Sequence, residues 1–291
     1  MSTSLTANLK TVGVVGSGIM GSGIAEVAAK SGFNVILRSR AQASADAMLA
    51  GLDKSLAKQV ERGKLEEATR DEIRGRVRAV TDLAELSECD LVLESIVEDL
   101  PAKRELFSQL SKICSDKTIL ATNTSTLPVV EMAMVTDHPE QICGIHFFNP
   151  APMMALVEIV RPITASDEVI ATARAFAEAC GKTVVDVRDQ AGFIVNALLF
   201  PYLNNAINLL DGGVASRDDI DAAMKGGCNF PMGPLELLDL VGLDTSLAII
   251  GALYEEFRQP NYAPAPLLQR MVSANRLGRK SGRGFYDYSK K

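Results

Sequence analysis

The fold of this chain is decided by the stretch Thr11-Val-Gly-Val-Val-Gly16-Ser-Gly18-Ile-Met-Gly21-Ser-Gly23. A β-branched apolar run passes into the glycines and the amphipathic segment Ile24–Lys30 follows, which predicts a strand, a tight turn and a helix. In G-x-G-x-x-G, the first glycine turns the chain, the second lets backbone N–H groups approach a pyrophosphate, and the third allows close packing of helix on strand. Because a second strand, Phe33–Arg38, follows, we interpret the motif as a dinucleotide site; a purely structural turn is the alternative. The predicted cofactor contacts of this loop are Gly16, Ser17, Gly18, Ile19, Met20 and Gly21.

The end of that second strand bears on the choice between NAD and NADP. An NAD site usually places a carboxylate there, about 20 residues after the glycines, for the adenosine ribose. This chain instead has Arg38-Ser39-Arg40. A 2′-phosphate is attracted by cationic donors and repelled by a carboxylate, so we expect Ser39 and Arg40 to contact the cofactor and NADP to be favoured over NAD. The alternative is that both arginines are solvated surface residues and NAD binds without the acid.

Composition excludes several other classes of protein. The 291 residues are 47% apolar and carry a net charge of −6, which suits a substantial core and argues against nucleic acid as a partner. No apolar run is long enough to span a membrane, and the N-terminus lacks the features of a secretory signal. The five cysteines are scattered without C-x-x-C spacing, which indicates free thiols in a reducing compartment. We therefore expect a cytoplasmic protein without metal or membrane partner.

Two domains are predicted. Residues 1–188 alternate strands and helices, which indicates an α/β Rossmann-type dinucleotide-binding domain. Residues 43–78 are too long and too polar for a simple crossover, so we expect a protruding helical hairpin there. Residues 189–291 are helical throughout, which predicts an all-α substrate-binding and dimerisation domain. One segment of it is more apolar than a monomer surface needs; its residues are Leu198, Phe200, Leu203, Ile207 and Leu210.

A candidate catalytic site lies at the carboxyl edge of the predicted sheet. His146 ends a strand and Glu158 lies on the next one, and the tight turn between the strands allows their side chains to meet. Imidazole is suited to taking the O–H proton as hydride leaves carbon, and a carboxylate on its other nitrogen fixes the tautomer. Ser125 and Asn196 could reach the reacting oxygen, the latter across a domain cleft. Taken singly, a strand histidine is as often a satisfied core residue, and Ser125 could simply cap a helix.

Several longer strings carry a family resemblance. They are Gly16-Ser-Gly-Ile-Met-Gly21, Glu94-Ser-Ile-Val-Glu98-Asp-Leu, Thr122-Asn-Thr-Ser125, His146-Phe-Phe-Asn149-Pro, Leu156-Val-Glu158, Ala191-Gly-Phe-Ile-Val-Asn196, Pro231-Met-Gly-Pro-Leu-Glu-Leu-Leu-Asp and Gly282-Arg-Gly-Phe-Tyr. Over nearly its whole length the chain resembles the short-chain 3-hydroxyacyl-CoA dehydrogenases, most of all the bacterial 3-hydroxybutyryl-CoA dehydrogenases.

The resemblance implies interconversion of a short (S)-3-hydroxyacyl-CoA, such as 3-hydroxybutyryl-CoA, and its 3-keto product with a nicotinamide cofactor. It implies His146 as base, Glu158 as its partner, and Ser125 and Asn196 as substrate-positioning residues. Further contacts are implied with the cofactor, at Glu98, Lys103, Asn149 and Lys280, and with CoA, at Ser55 and Arg62 of the hairpin. It also implies a homodimer formed through the helical domain.

Two positions depart from the family pattern. Ser39 stands where the family usually has Asp, which leaves cofactor choice open, and Ala197 stands where Arg often follows the cleft asparagine.

Two other functions remain as alternatives: a dinucleotide-binding protein without catalysis, and a dehydrogenase of a hydroxy acid that carries no CoA. The basic residues of the hairpin favour CoA, although on charge alone they could be an ordinary solvated face.

Overall fold

A computed structural model describes residues 9–289, in which the first strand leads through the glycine loop into the first helix. The residues divide into two units, the first ending at Asp189 and the second beginning at Gln190. The strands of the first unit are β1 (Thr11–Val15), β2 (Asn34–Arg38), β3 (Val77–Val80), β4 (Leu91–Glu94), β5 (Ile119–Thr122), β6 (Ile142–Phe147), β7 (Leu156–Arg161) and β8 (Thr183–Arg188). Its helices are α1 (Ile19–Lys30), α2 (Gln42–Glu61), α3 (Glu67–Gly75), α4 (Leu100–Ile113), α5 (Val129–Ala133) and α6 (Asp167–Ala179).

The strands form one 8-stranded sheet in the order β3-β2-β1-β4-β5-β6-β7-β8. Neighbours from β3 to β6 are parallel, β6 and β7 are antiparallel, and β7 and β8 are again parallel. The central strands are buried on both faces, as parallel strands covered by helices must be, so Val12, Val14, Leu91 and Leu93 are all 0% exposed. The chain order reverses between β1 and β4, and open α/β sheets bind ligands outside the carboxyl ends of strands at such a point.

Two helices in contact, α2 and α3, occupy the segment predicted as a hairpin, but the predicted range was wrong at its end. Residues 77–80 form β3, which pairs with β2 in parallel at the edge of the sheet. The run Val-Arg-Ala-Val is too short and too mixed to show a strand period, and only pairing with β2 makes it one. Helix α2 buries Ala45, Met48, Leu52 and Leu56, so one of its faces packs on the domain. The projection of the hairpin stays a prediction.

The second unit is helical, in agreement with the predicted fold class. Its helices are α7 (Val195–Asp211), α8 (Arg217–Cys228), α9 (Pro234–Val241), α10 (Leu243–Phe257) and α11 (Pro266–Ser273). The interpretation of its first segment as surplus surface was largely wrong. Phe200, Leu203 and Ile207 are at most 2% exposed and belong to the core of this unit, because α9, α10 and α11 pack around α7. Leu198, at 72% exposed, is the member of the set that faces outward.

Within residues 9–289, no single helix is long and apolar enough to span a membrane. By length and composition, one pair bent by 100° passes the same test, formed by α9 and α10. Over the same residues, no group of three or more His, Cys, Asp and Glu side chains is arranged to hold a metal ion.

Candidate active site

His146 and Glu158 lie directly opposite each other on β6 and β7. Their side chains meet at the carboxyl edge of the sheet, where His146 Nδ1 is 2.8 Å from Glu158 Oε2. The imidazole is 4% exposed and the carboxylate 0%, so solvent screens this pair poorly. An acidic partner at Nδ1 fixes which ring nitrogen carries the proton and leaves Nε2 for proton transfer.

Ser125 supplies a contact to that second nitrogen. It follows β5 in the polar turn, and its Oγ is 3.1 Å from His146 Nε2. The ring of Phe148 lies against the imidazole with centroids 4.5 Å apart. A hydroxyl, an imidazole and a carboxylate are therefore arranged in line, which is the geometry that general acid–base chemistry at an adjacent hydroxyl or carbonyl requires.

The turn that carries Ser125 is held by Glu98. This carboxylate accepts hydrogen bonds from Ser125 N at 2.9 Å and Thr124 Oγ1 at 2.6 Å. Burial opposes its ionisation, but the charge of Lys103 and these hydrogen bonds outweigh that effect and lower the pKa of Glu98. An ionised Glu98 thus fixes the backbone from which the Ser125 hydroxyl projects.

Lys103 is in turn anchored by a fully buried carboxylate. Its Nζ donates to Glu94 Oε1 at 2.6 Å and lies 3.3 Å from Glu98 Oε2, and the side chains of Lys103 and Glu94 are 1% and 0% exposed. Glu94 also accepts from Ile96 N at 2.6 Å and Thr122 Oγ1 at 2.7 Å. The predicted cofactor contacts Glu98 and Lys103 are therefore linked to each other: Glu94 contacts Lys103, Lys103 contacts Glu98, and Glu98 accepts from the Ser125 turn.

Sequence reasoning assigned no role to two residues of this edge, Glu94 and Asn123. Asn123 Oδ1 accepts from Phe147 N at 2.8 Å and so ties the turn after β5 to the end of β6. The sequence signal for Glu94 was a single carboxylate at the end of an apolar strand. Such a carboxylate is expected to be buried, and a buried charge requires a partner. No comparable signal marked Asn123, because polar turn residues are common.

The glycine loop has the shape that a dinucleotide diphosphate requires. Gly16 has φ of 126°, and a Cβ there would collide with Ser95 O; a Cβ at Gly21 would collide with Gly16 O. At Gly18 a Cβ would meet no protein atom within 4 Å, so the chain itself does not demand glycine there. Gly18 is the N-cap of α1, no side chain caps that end, and its first turn carries no acid. Open space beside unshielded N–H groups fits an anionic diphosphate.

The end of β2 combines one tethered and one exposed cation. Ser39 is 2% exposed and its Oγ donates to Ser17 Oγ at 3.1 Å, which links the strand end to the glycine loop. Arg38 Nε donates to Thr81 O at 3.1 Å, and burial, followed by the nearby charge of Arg40, lowers the pKa of Arg38. Arg40 is exposed.

The remaining predicted site residues lie on other elements. Ser55 and Arg62 belong to the hairpin, Ser55 within α2 and Arg62 as its C-cap, and Asn149 is exposed after β6. Asn196 occupies the first turn of α7, and Lys280 Nζ donates to Asp244 Oδ2 at 2.6 Å, both within the second unit. Their roles toward substrate and cofactor stay predictions.

A glycine loop opening a helix on a mostly parallel sheet, followed by a separate helical unit, defines the class of Rossmann-type dinucleotide-binding proteins with an all-α second domain. Two family models match this chain. Residues 11–190 match the 3-hydroxyacyl-CoA dehydrogenase NAD-binding domain, and residues 192–288 match the 3-hydroxyacyl-CoA dehydrogenase C-terminal domain. The chain therefore belongs to the 3-hydroxyacyl-CoA dehydrogenase family, which confirms the resemblance found in the sequence.

Individual relatives agree with this result. The chain is 47% identical over 277 residues to a 3-hydroxybutyryl-CoA dehydrogenase of Clostridioides difficile, covering 95% of this chain and 99% of the relative. The crystal structure of M. tuberculosis FadB2 matches with a TM-score of 0.93 at 46% identity, covering 96% of this chain and 99% of that one. The (S)-3-hydroxybutyryl-CoA dehydrogenase PaaH1 from Ralstonia eutropha matches with a TM-score of 0.95 at 41% identity, covering 97% and 100%.

Proposed function

We propose that this protein interconverts (S)-3-hydroxybutyryl-CoA and acetoacetyl-CoA, with a nicotinamide dinucleotide as hydride acceptor or donor. The observation that carries the proposal is the line of three side chains at the sheet edge: Ser125 Oγ 3.1 Å from His146 Nε2, and Glu158 Oε2 2.8 Å from Nδ1. Two relatives that are named 3-hydroxybutyryl-CoA dehydrogenases, at 47% and 41% identity over nearly the whole chain, support the same activity.

In the oxidation, His146 Nε2 takes the proton of the substrate 3-hydroxyl. The Ser125 hydroxyl binds the same oxygen and holds it in reach of the imidazole. Glu158 accepts from Nδ1–H and stabilises the imidazolium that forms. In the reduction, the protonated His146 returns the proton to the 3-keto oxygen. Asn196 is proposed as a second group that positions the substrate.

When bound, the dinucleotide supplies the hydride acceptor of the oxidation and the donor of the reduction. Gly16, Gly18 and the open N-terminus of α1 would hold its diphosphate, as their geometry fits an anion there. Glu98, Lys103, Asn149 and Lys280 are proposed as its further contacts.

We propose NADP as the preferred dinucleotide. No carboxylate ends β2, and exposed Arg40 is available to a 2′-phosphate, whereas Arg38 is tied to a backbone carbonyl. Arg40→Ala should lower kcat/KM for NADPH by about tenfold, the value of one charge-assisted hydrogen bond, and leave NADH unaffected. Ser39→Asp should move the NADPH/NADH ratio of kcat/KM toward NADH. Equal effects on both cofactors would contradict this preference.

A further proposal concerns assembly. Outward-facing apolar side chains of the second unit include Leu198 at 72% exposed, Val214 at 70%, Leu209 at 46% and Phe230 at 42%. We propose that this unit forms a homodimer through such residues. Light scattering after size exclusion should give twice the mass of one chain for the parent protein, and Leu198→Asp should shift the equilibrium toward monomer.

The activity is tested by initial rates with acetoacetyl-CoA and each reduced dinucleotide, followed by the loss of reduced-nicotinamide absorbance. Free acetoacetate serves as the second substrate. We expect turnover with the thioester and much slower turnover with the acid. Comparable rates with both would favour a hydroxy-acid dehydrogenase that does not use CoA. Dinucleotide binding without turnover of either substrate would favour a non-catalytic protein.

A further inference from the structure

A buried carboxylate outside the reaction centre connects the glycine-loop helix with the hairpin. Glu26 is on α1 and is 7% exposed. It is one of the buried charged residues that have no role in the proposed reaction. Ser55 Oγ donates to Glu26 Oε2 at 2.9 Å, and Gln59 Nε2 donates to Glu26 Oε1 at 3.0 Å. Lys30 Nζ donates to Glu26 and, at 2.8 Å, to Gln59 Oε1, which closes the cluster.

These contacts constrain the hydrogen-bonding role of Ser55. A serine hydroxyl has one proton, and here that proton points at Glu26. Gln59 Nε2 is also 3.3 Å from Ser55 Oγ, which then acts as acceptor. A phosphate oxygen is itself an acceptor, so Ser55 cannot serve it as donor while Glu26 holds the proton. In this state Ser55 anchors α2, and it can meet a ligand only as an acceptor.

The anchored helix carries a row of exposed cations. Lys54, Lys58 and Arg62 are spaced by four residues, which places them along one side of α2 and its C-cap. Ser55 and Gln59 each follow one of these cations by one residue. The bonds to Glu26 therefore act together with the buried apolar face of α2 to set the rotation of the helix about its axis, and with it the direction in which the cations project.

The same carboxylate lines the large cavity of the first unit. This cavity has a volume of about 550 Å³ and is bounded by the glycine loop at Ser17 and Gly18, by α2 from Ser44 to Leu52, and by residues 150–152. Its lining contains Glu26 but no lysine or arginine. The cations of α2 that could meet an anionic group of a ligand therefore lie outside this cavity, in the exposed row Lys54, Lys58 and Arg62.

We propose that Glu26 is a positioning residue for CoA. By holding Ser55 and Gln59 it fixes α2 so that Lys54, Lys58 and Arg62 face the phosphates of the nucleotide part of CoA. This inference rests on the proposed function, since it takes CoA as the group that the hairpin binds. It assigns Glu26 to the binding of CoA thioesters and not to the chemical step.

The sign of the effect separates positioning from simple electrostatics. Removing a negative charge near a polyphosphate by itself strengthens binding, so an electrostatic role predicts a lower KM for Glu26→Ala. Positioning predicts a higher one. Glu61→Ala is the control, because it removes one exposed negative charge from α2, next to Arg62, without touching the cluster around Glu26.

The experiment measures KM and kcat with acetoacetyl-CoA and with acetoacetyl-N-acetylcysteamine, which lacks the nucleotide. For Glu26→Ala we expect KM for the CoA thioester to rise about tenfold, with kcat, KM for NADPH and KM for the truncated thioester unchanged. Glu26→Gln, which keeps an oxygen to accept from Ser55, should recover most of the loss. Equal rises in KM for both thioesters, an unchanged KM for the CoA thioester, or a rise in Glu61→Ala would overturn the inference.

Calorimetric titration with CoA alone gives a readout that does not depend on turnover. The dissociation constant should rise about tenfold in Glu26→Ala, whereas in Glu61→Ala it should stay the same or fall, since only a negative charge is removed there. If the parent protein binds CoA in this pattern but does not reduce acetoacetyl-CoA, the proposed function fails and the role of Glu26 stands. If the parent is active but the variant binds CoA normally, only the role of Glu26 fails. If the parent binds no CoA, both fail.

Discussion

The catalytic edge and the hairpin, both in the first unit, hold their charged groups in different ways. At the edge, Lys103 and Glu94 are buried together and every step from Glu94 to Ser125 is a short polar contact. On the hairpin, Lys54 and Arg62 are exposed, and one polar cluster around Glu26 adds to the buried apolar face of α2 in setting their direction. Proton transfer requires atoms fixed within hydrogen-bond distance, whereas recognition of a polyphosphate requires cations that can follow a flexible ligand. The comparison predicts severe, local losses at the edge and graded binding losses on the hairpin.

The largest expected effect is on the chemical step. His146→Gln should lower kcat by about 10²- to 10⁴-fold, the usual contribution of a general base, because glutamine cannot take the proton. Steady-state rates and dinucleotide titration check this, and binding of the dinucleotide should persist. His138→Gln is the control, since the side chain of that histidine is half-exposed and its Nδ1 lies 3.3 Å from Glu140 Oε1, away from the His146–Glu158 pair. Near-normal turnover of the His146 variant would remove the basis of the proposed mechanism.

The second prediction concerns stability at the edge. Lys103→Met leaves Glu94 as a fully buried charge without its cation, and breaking such a pair typically costs about 3–5 kcal/mol of unfolding free energy. Arg104→Met, on the same helix, breaks an exposed pair with Glu131 and should cost about 0–1 kcal/mol. Urea denaturation of both variants measures the difference. Equal losses would show that burial does not distinguish these two pairs.

A smaller effect is expected from the hydroxyl at the reaction centre. Ser125→Ala should lower kcat by about tenfold, because one hydrogen bond to the reacting oxygen is lost while His146 and Glu158 stay in contact. Ser111→Ala provides a comparison. Its hydroxyl lies near the C-terminal end of α4, where it accepts a hydrogen bond from Asp137 N. We expect Ser111→Ala to have the highest kcat, Ser125→Ala a lower one and His146→Gln the lowest. A kcat of Ser125→Ala as low as that of His146→Gln would contradict the assignment of a single hydrogen bond to the serine.

The smallest effect is a pH dependence at Glu98. Its pKa in the folded protein lies below the ordinary 4.5, so the carboxylate contributes stability above its unfolded-state pKa and loses it as pH falls through the folded value. The unfolding free energy of the parent should therefore exceed that of Glu98→Gln at neutral pH, by no more than about 1 kcal/mol for this partly exposed group. Denaturation curves between neutral and acidic pH should converge as pH drops below about 4.5. A difference that grew toward acid would reverse the assigned sign.

The regions that could be predicted from sequence are those with a local cause. The glycine loop, the buried strands and the helices of the second unit follow from backbone freedom, from apolar runs and from helical periodicity. The strand β3 could not be predicted, since only its neighbour β2 makes it a strand. The burial of the apolar face of α7 could not be predicted either, because a sequence shows apolarity but not which helix covers it.

The same division holds at the site. His146 and Glu158 could be paired in advance because they lie on two successive strands joined by a short connection, which lets their side chains meet at one edge of the sheet. The link from Glu94 through Lys103 to Glu98 spans three elements, and the choice of Lys103 over other lysines depends on which one α4 turns inward. Ser55 was assigned to CoA by resemblance alone, and its bond to Glu26 became visible only with α1 and α2 packed together.

Sequence by itself determined the class of fold, the family and the candidate base, because these depend on short motifs whose geometry is set within a few residues. The tertiary structure decided which charges are buried, which carboxylate holds which cation and which apolar residues form the core. Those properties arise from contacts between residues far apart in the chain, and their energies depend on burial, which no single segment fixes alone.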